Sequence, residues 1–292
     1  MGGTQFRVLG PLEVEHAGDA VRVGGLRQRI LLTLLALEAD RAVPVPRLID
    51  GIWGERPPAS AKGQVWICVS GLRRRLAETG AGEVVETRPS GYALRAGRDA
   101  LDLLRFRDLV AHGRHAAREG RAEEAVGLLR AGAEQWRGPV GAGLDSALLD
   151  SAAVRLEEER VAAAEECFDL ELGLGRHHGI VGELMGHVAE HPFRERLCAQ
   201  LMLALYHSGR RADALRVYRD VRVRYTDELG LEPGEKLRAL ECAILGERAV
   251  RPIPLIRTGN AIGARKRVDR TPSHAHSTSV PVLEQEKEWQ TN

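Results

Sequence analysis

Long apolar runs, cysteine and lysine are all scarce in this chain of 292 residues, and the first two scarcities each close off a class of function. No stretch approaches the roughly 20 consecutive apolar residues that cross a bilayer. The opening Met1-Gly-Gly-Thr-Gln-Phe-Arg7 lacks the apolar core of a secretory signal. The expectation is a cytoplasmic protein with no membrane partner. The four cysteines, Cys68, Cys167, Cys198 and Cys242, are far apart and form no Cys-x-x-Cys pair. That argues against a disulfide framework or a cysteine zinc site and predicts reduced, mostly buried thiols. Lysine occurs only at positions 62, 236, 266 and 287, so the cationic surface is built from arginine.

What is present is a segregation of charge that the net value of +1 conceals. Residues 1–95 carry 13 basic and 10 acidic side chains, whereas residues 99–250 carry 21 and 27. An anionic partner such as nucleic acid is therefore expected to meet the N-terminal part. The most basic stretch is Ala59-Ser-Ala-Lys-Gly-Gln-Val-Trp-Ile-Cys-Val-Ser-Gly-Leu-Arg-Arg-Arg-Leu76, which has four basic residues and no acidic one.

The elements around that stretch are readable. Phe6–Val14 holds two short apolar runs about Gly10-Pro11, and Val21-Arg-Val23 continues the alternation, which predicts small antiparallel strands. Ile30, Leu31, Leu34 and Leu35 recur at helical spacing over Leu26–Ala39. Pro46 suits the first turn of a second helix, ended by Gly54 and Pro57-Pro58. A third helix runs from about Ala59 to Ala77. Its stripe of Ala61, Val65, Val69, Leu72 and Leu76 must face the first two helices, so Ser60, Gly63, Trp66, Ile67, Ser70 and Arg74 face outward. An outward Trp-Ile pair suits a helix that enters a groove and meets sugars and thymine methyls. Val84–Thr87 and Tyr92–Arg95 then read as a hairpin around Arg88-Pro-Ser-Gly91. This order is the outline of a winged helix-turn-helix.

Beyond Gly97 the strand signals stop. Amphipathic helices broken by glycine turns continue to about residue 247, and two hairpins look alike: Ala116–Ala125 followed by Leu129, and Leu205–Ala214 followed by Tyr218. A small residue at a helix crossing and a large one a turn later is tetratricopeptide-like patterning. From Arg251, aperiodic Pro, Ser, Thr, His and basic residues predict a disordered tail. The predicted fold is thus mainly α with a small β component, in three parts: a winged-helix DNA-binding domain over 1–97, an all-α tetratricopeptide-like helical-repeat domain over 98–250 and a tail over 251–292.

Signals for catalysis are weak. His187-Val-Ala-Glu-His191 matches the His-x-x-Glu-His pattern of one zinc-peptidase class, but Pro192 follows at once, and the stretch reads as the end of a helix. His177-His178 reads as a surface turn and Glu157-Glu-Glu-Arg160 as a solvated helix face. His274 and His276 fall in the tail, where adventitious metal binding is the extent of the expectation. No catalytic residue, metal site or cofactor is assigned, and the chain does not read as an enzyme.

In both parts the chain resembles the Streptomyces antibiotic regulatory protein family, over about residues 5–247. The N-terminal resemblance rests on Phe6-Arg-Val-Leu-Gly-Pro-Leu, Gly25-Leu-Arg-Gln-Arg29, Ile52-Trp-Gly-Glu55, Pro58-Ala-Ser-Ala61, Val69-Ser-Gly-Leu-Arg-Arg74 and Ser90-Gly-Tyr92. The C-terminal resemblance rests on Trp136-Arg-Gly-Pro139, Glu190–Arg196, Gln200–Tyr206, Ser208-Gly-Arg210 and Asp227–Gly234. It implies an OmpR-type winged helix followed by a bacterial transcriptional activator domain. The implied activity is binding of direct repeats upstream of promoters, as a dimer on double-stranded DNA, and recruitment of RNA polymerase to switch on a secondary-metabolite gene cluster. Gly63 and Gly71 stand where helices of the family more often carry larger residues, at a helix cost of roughly 1 kcal/mol each. Neither the phosphate-binding loop of large family members nor an acidic receiver domain has a counterpart here, so ATP switching and aspartate phosphorylation are not expected.

In this frame Lys62, Trp66, Ser70, Arg73 and Arg74 are expected nearest the DNA, the basic residues reading guanine. Arg75, nearer the core edge, would touch phosphate only. Arg88 at the wing tip would enter the minor groove or grip its rim, and Arg27 and Arg29 would hold phosphates. Glu55 and Arg56, in the loop between the second and third helices, are candidates for contact with polymerase and its sigma factor. The acidic helical part suits dimerisation, polymerase contact or ligand-controlled masking of the first domain. The alternative reading is a helical-repeat adaptor whose winged domain no longer binds DNA. The salt dependence of binding separates the two.

Overall fold

The computed structural model describes residues 3–81 and 84–246; the tail expected over 251–292 lies outside the described residues. A three-stranded antiparallel sheet opens the chain, with β1 (Thr4–Arg7), β2 (Glu13–His16) and β3 (Asp19–Ala20) in that order. Phe6 pairs with Val14, and Glu15 with Ala20. The third strand comes earlier than the predicted Val21-Arg-Val23. A two-residue turn at Ala17-Gly18, both at positive φ, sends the chain back at once. Val21 still donates to Val14 O at 2.8 Å, so the alternation that suggested a strand persists just past its end.

Three helices follow: α1 (Leu26–Leu37), α2 (Val45–Trp53) and α3 (Ala61–Glu78). Pro46 lies in the first turn of α2, where its missing N–H costs nothing, and Gly54 ends that helix at positive φ. The wing is β4 (Val85–Arg88) against β5 (Gly91–Leu94), each shifted by one residue from the sequence expectation. Gly91 is required less by the turn than by what lies behind it. A Cβ there would stand 2.0 Å from the carbonyl oxygen of Val43, because Val43 and Tyr92 exchange backbone hydrogen bonds and fasten the wing to the segment before α2.

The rest of the described chain is helical: a short 3-10 turn (Arg98–Ala100), then α4 (Asp102–Arg118), α5 (Ala122–Ala133), α6 (Ala147–Gly173), α7 (His177–Glu190), α8 (Glu195–His207), α9 (Arg211–Arg224), a π-helical turn (Tyr225–Leu229) and α10 (Glu235–Leu245). The two hairpins expected from sequence close in the same way. Arg121 N–H bonds to Ala116 O at 2.9 Å over Gly120, and Arg210 N–H to Leu205 O at 2.8 Å over Gly209. Both glycines have φ of +76°, a left-handed closure that glycine adopts without the strain a Cβ would bring. A third hairpin, not recognised in the sequence, repeats the bond: Arg176 N–H to Glu171 O at 2.9 Å over Gly175. Buried Ala125, Ala214 and Ile180 occupy equivalent places on the returning helices.

The described residues form one compact unit. One apolar cluster runs from Phe6 through α1, α3, α4 and α5 into α6 as far as Cys167, and a second runs from Val161 to Ile244. Long helix α6 serves both. Three of the thiols are buried as expected and Cys242 is exposed; burial pushes the Cys167 and Cys198 thiols up to about 12 and about 11, so both stay protonated and unreactive.

The two parts are joined at a buried carboxylate. Asp102, at the start of α4, accepts backbone hydrogen bonds from Val8, Leu9 and its neighbour Leu103 at 2.8–2.9 Å. Burial pushes this carboxyl up, and the three N–H donors with Arg137 pull it back. Arg137 itself returns to the first sheet: its N–H bonds to Leu9 O at 2.8 Å, and its guanidinium reaches Pro11 O at 3.1 Å and Glu13 at 2.7 Å. Gly10 lies so close that an added Cβ would stand 3.1 Å from Arg137 Cβ. Gly10-Pro11 and Trp136-Arg-Gly-Pro139 are thus two sides of one joint. Ser146 adds a bond to Gly51 O at 2.7 Å, tying the start of α6 to α2.

Candidate nucleic-acid interface

Helix α3 is amphipathic in the way its sequence requires. Ala61, Val65, Cys68, Val69, Leu72 and Leu76 are buried against α1 and α2, while Trp66 and Ile67 remain 64% and 62% exposed. Two large apolar side chains facing water cost solvation with no return inside the molecule, which marks the face as one built to be covered. Lys62 and Gly63 are exposed beside them, Ser70 is half-buried, and Arg74 is open, with a loose contact of 3.9 Å to equally open Glu78. Lys62 has no ion-pair partner among the described residues. The two helical glycines differ: nothing lies within 4 Å of a Cβ at Gly63, whereas at Gly71 it would meet the amide of Gln28, which reaches across from α1 toward Cys68 O.

Arg73, Arg88 and Arg27 are engaged. Arg73 is half-buried; its Nε donates to Val85 O and its Nη2 to Thr87 Oγ1, both at 2.8 Å, so it ties α3 to the wing. Arg75 is half-buried, its Nε out of contact with solvent and without a hydrogen-bond partner. Arg88 folds back from the wing: Nε and Nη2 donate to Glu86 at 3.2 and 3.0 Å, and Nη1 to Asp40 O at 3.1 Å. Arg27 lies 5.3 Å over the Trp53 ring and donates to Gln64 Oε1 at 2.7 Å, while the Gln64 amide reaches Ser60 Oγ at 2.9 Å. It thereby links all three helices of the module. Arg29 is half-buried, and Glu55 and Arg56 are exposed in the loop after Gly54.

Sequence reasoning missed the supports: Gln28, Gln64, Asp102 and Arg137. Glutamine and aspartate at these places carry no periodicity, and their partners are up to 94 positions away, as for Asp102 and Val8. The available signal was the pair of Gly-Pro motifs, whose joint requires a residue able to satisfy bent backbone.

An arginine-bearing helix with one open face, backed by two helices and followed by a hairpin, is the geometry of a winged DNA-binding module. Comparison with known proteins agrees. Residues 24–94 match the family model of the C-terminal domain of transcriptional regulatory proteins, and residues 101–245 match the bacterial transcriptional activator domain. The regulatory protein DnrI of Streptomyces peucetius is 35% identical over 249 residues, 82% of this chain and 92% of DnrI. The chain belongs to the Streptomyces antibiotic regulatory protein family.

Other members of this family and their neighbours are larger. The regulatory protein AfsR of Streptomyces coelicolor is 40% identical over 245 residues, which are 84% of this chain but 24% of AfsR. A solved structure of Mycobacterium tuberculosis EmbR, in complex with a low-affinity phosphopeptide, superposes with a TM-score of 0.82 at 36% identity and covers 86% of this chain and 67% of that one. The chain therefore spans about a quarter of AfsR. These relatives carry the names of regulatory proteins, and this chain has the domain pair of a family of transcriptional regulators. No helix among the described residues is long and apolar enough to cross a membrane.

Proposed function

We propose that this family member is a sequence-specific activator that binds direct repeats upstream of promoters, as a dimer on the DNA, and recruits RNA polymerase to switch on a secondary-metabolite gene cluster. The observation that carries this reading is the uncovered face of α3, where Trp66 and Ile67 lie exposed beside Lys62 and Arg74. Inserted in a major groove, Lys62 and Arg74 read guanine edges, Trp66 and Ile67 pack on sugars and thymine methyls, and Ser70 bonds to either base type or phosphate. Arg73 holds the helix against the wing; its nitrogen outside its two bonds, Arg75 at the core edge, and Arg88 once released from Glu86 add phosphate contacts at the groove rims. Arg27 and Arg29 contact backbone phosphate from the first helix.

Residues 1–97 hold the DNA-reading surface and one candidate protein contact, and the acidic helical part over 98–250 suits further protein partners. Glu55 and Arg56 face outward on the loop beside the joint to α6 and form the surface for polymerase and its sigma factor. Such a protein works on the nucleoid in the cytoplasm. Support for control of an antibiotic cluster comes from the kinship with DnrI.

The test is a fluorescence titration of intergenic DNA flanking the chain's own gene, with competitor DNA, at several salt concentrations. Saturable, selective binding that weakens steeply with salt is expected, because each neutralised phosphate contributes about 0.9 to the log–log slope. Binding that is absent at every salt concentration would leave the helical-repeat adaptor as the surviving reading.

A further inference from the structure

The histidines set aside in the sequence come together in the fold. Helix α7 ends at Glu190, and His191 caps it, its N–H bonding to His187 O at 2.8 Å. One turn apart, the two imidazole rings lie nearly parallel, 22° between planes and 6.5 Å between centroids. One ligand atom from each of His187, Glu190 and His191 lies within 4.8 Å of the other two. A tetrahedral ion with bonds of about 2.0–2.2 Å holds its ligands roughly 3.4 Å apart, so small rotations of exposed Glu190 and half-buried His191 close the set.

Two further features fit an ion. Nδ1 of His187 is buried yet lacks a hydrogen-bond partner, a costly condition for a ring nitrogen. On α6, Glu157 Oε1 stands 3.4 Å from His191 Nε2. A carboxylate behind one nitrogen of a histidine is the support that fixes a metal-binding ring and frees its other nitrogen for the ion. The surrounding charge is mixed but favours a cation: Glu157, Glu183 and Glu190 face the cluster against Arg160, which is shared between Glu157 at 3.5 Å and the Trp136 ring at 5.5 Å.

We propose that His187, Glu190 and His191 bind a divalent transition metal of the zinc class, supported by Glu157, and that the ion fastens the end of α7 to α6. Two imidazoles and a carboxylate select zinc over magnesium or calcium, which prefer all-oxygen sets. The role assigned is structural: Glu190, the acid of the peptidase pattern, sits among the ligands, Glu157 is engaged at His191 Nε2, and Pro192 stops the helix before a further helical ligand could follow. This inference is independent of DNA binding.

The test uses the full chain with His274→Ala, His276→Ala and Cys242→Ser, which removes the tail histidines and the exposed thiol as competing ligands. Zinc chloride is titrated against a chromogenic chelator, and thermal unfolding is followed with zinc or magnesium. One saturable zinc equivalent per chain is expected, with a raised melting temperature that magnesium does not reproduce. Glu190→Gln, exposed and harmless to folding, should weaken zinc at least about tenfold, as should His187→Leu, whose helix content is checked by circular dichroism; Glu157→Gln should weaken it by about tenfold. Absence of a saturable equivalent, or unchanged zinc affinity in Glu190→Gln and His187→Leu, overturns the assignment.

Discussion

Basic side chains behave differently in the helical region and on helix α3 of this molecule. In the helical region nearly every named guanidinium faces a carboxylate: Arg107 meets Glu159 at 2.8 Å, Arg114 meets Glu166 at 2.8 Å, Arg222 meets Glu232 at 2.8 Å, and Arg121, Arg176 and Arg194 pair with Glu119, Glu123 and Glu158. Some pairs reach into the core, where Arg130 binds buried Glu171 at 2.7 Å and Arg196 binds Asp169 at 2.6 Å. On α3 the pattern breaks. Arg73 bonds to a carbonyl and a hydroxyl, Arg74 touches only an open glutamate at 3.9 Å, and Lys62 touches none among the described residues. The lesson is that net charge is a poor guide to partners. A region with more than 20 basic residues can present little free positive charge, while a helix with four can present a patch that a polyanion neutralises.

The comparison can be broken most sharply by removing the free charges. Lys62→Ala with Arg74→Ala is expected to lower DNA affinity by about a hundredfold, since each base contact of this kind is worth roughly 1–3 kcal/mol, and to flatten the salt slope. A fluorescence titration checks both, and a double mutant binding like wild type would remove α3 as the reading helix.

The joint between the regions comes next. Asp102→Ala leaves the N–H groups of Val8 and Leu9 buried without acceptors, and urea denaturation should show a loss of about 3 kcal/mol. Arg73→Ala is expected to cost about 1–2 kcal/mol through the lost bonds to Val85 and Thr87. Faster amide exchange confined to β4 and β5 would identify the wing as the part released.

Two smaller effects sharpen the contrast. Gly63→Ala, with open space around its Cβ, should stabilise α3 by about 1 kcal/mol in thermal unfolding. Any loss of DNA affinity in that variant would place the helix backbone close against the groove. Glu159→Gln, which breaks an exposed pair with Arg107, should change stability by less than about 0.5 kcal/mol. A larger change would mean that the arginine pairs of the helical region are a source of stability rather than a way of silencing charge.

Much of this was legible in the chain. The stripe of α3, the hairpin after it and the two glycine-closed helical hairpins follow from spacing, because a helix or a tight turn is decided by residues within a few positions of one another. The third hairpin at Gly175 escaped because charged Glu171 and large Ile180 fill places where the others carry small or apolar residues. The third strand was displaced because Ala17, an unlikely residue for positive φ, makes the turn.

By itself the sequence determined the two kinds of architecture, the basic helix and the face that helix turns outward, since these depend on local periodicity and on the types of residue at each step. Only the tertiary structure decided which arginines are free, that Asp102 and Arg137 weld the first sheet to the fourth helix, and that His187, Glu190 and His191 converge. The physical reason is the same in each case. Hydrogen bonds and ion pairs act over about 3 Å, and which groups come that close, when they are tens of residues apart, is fixed only when the cores have packed.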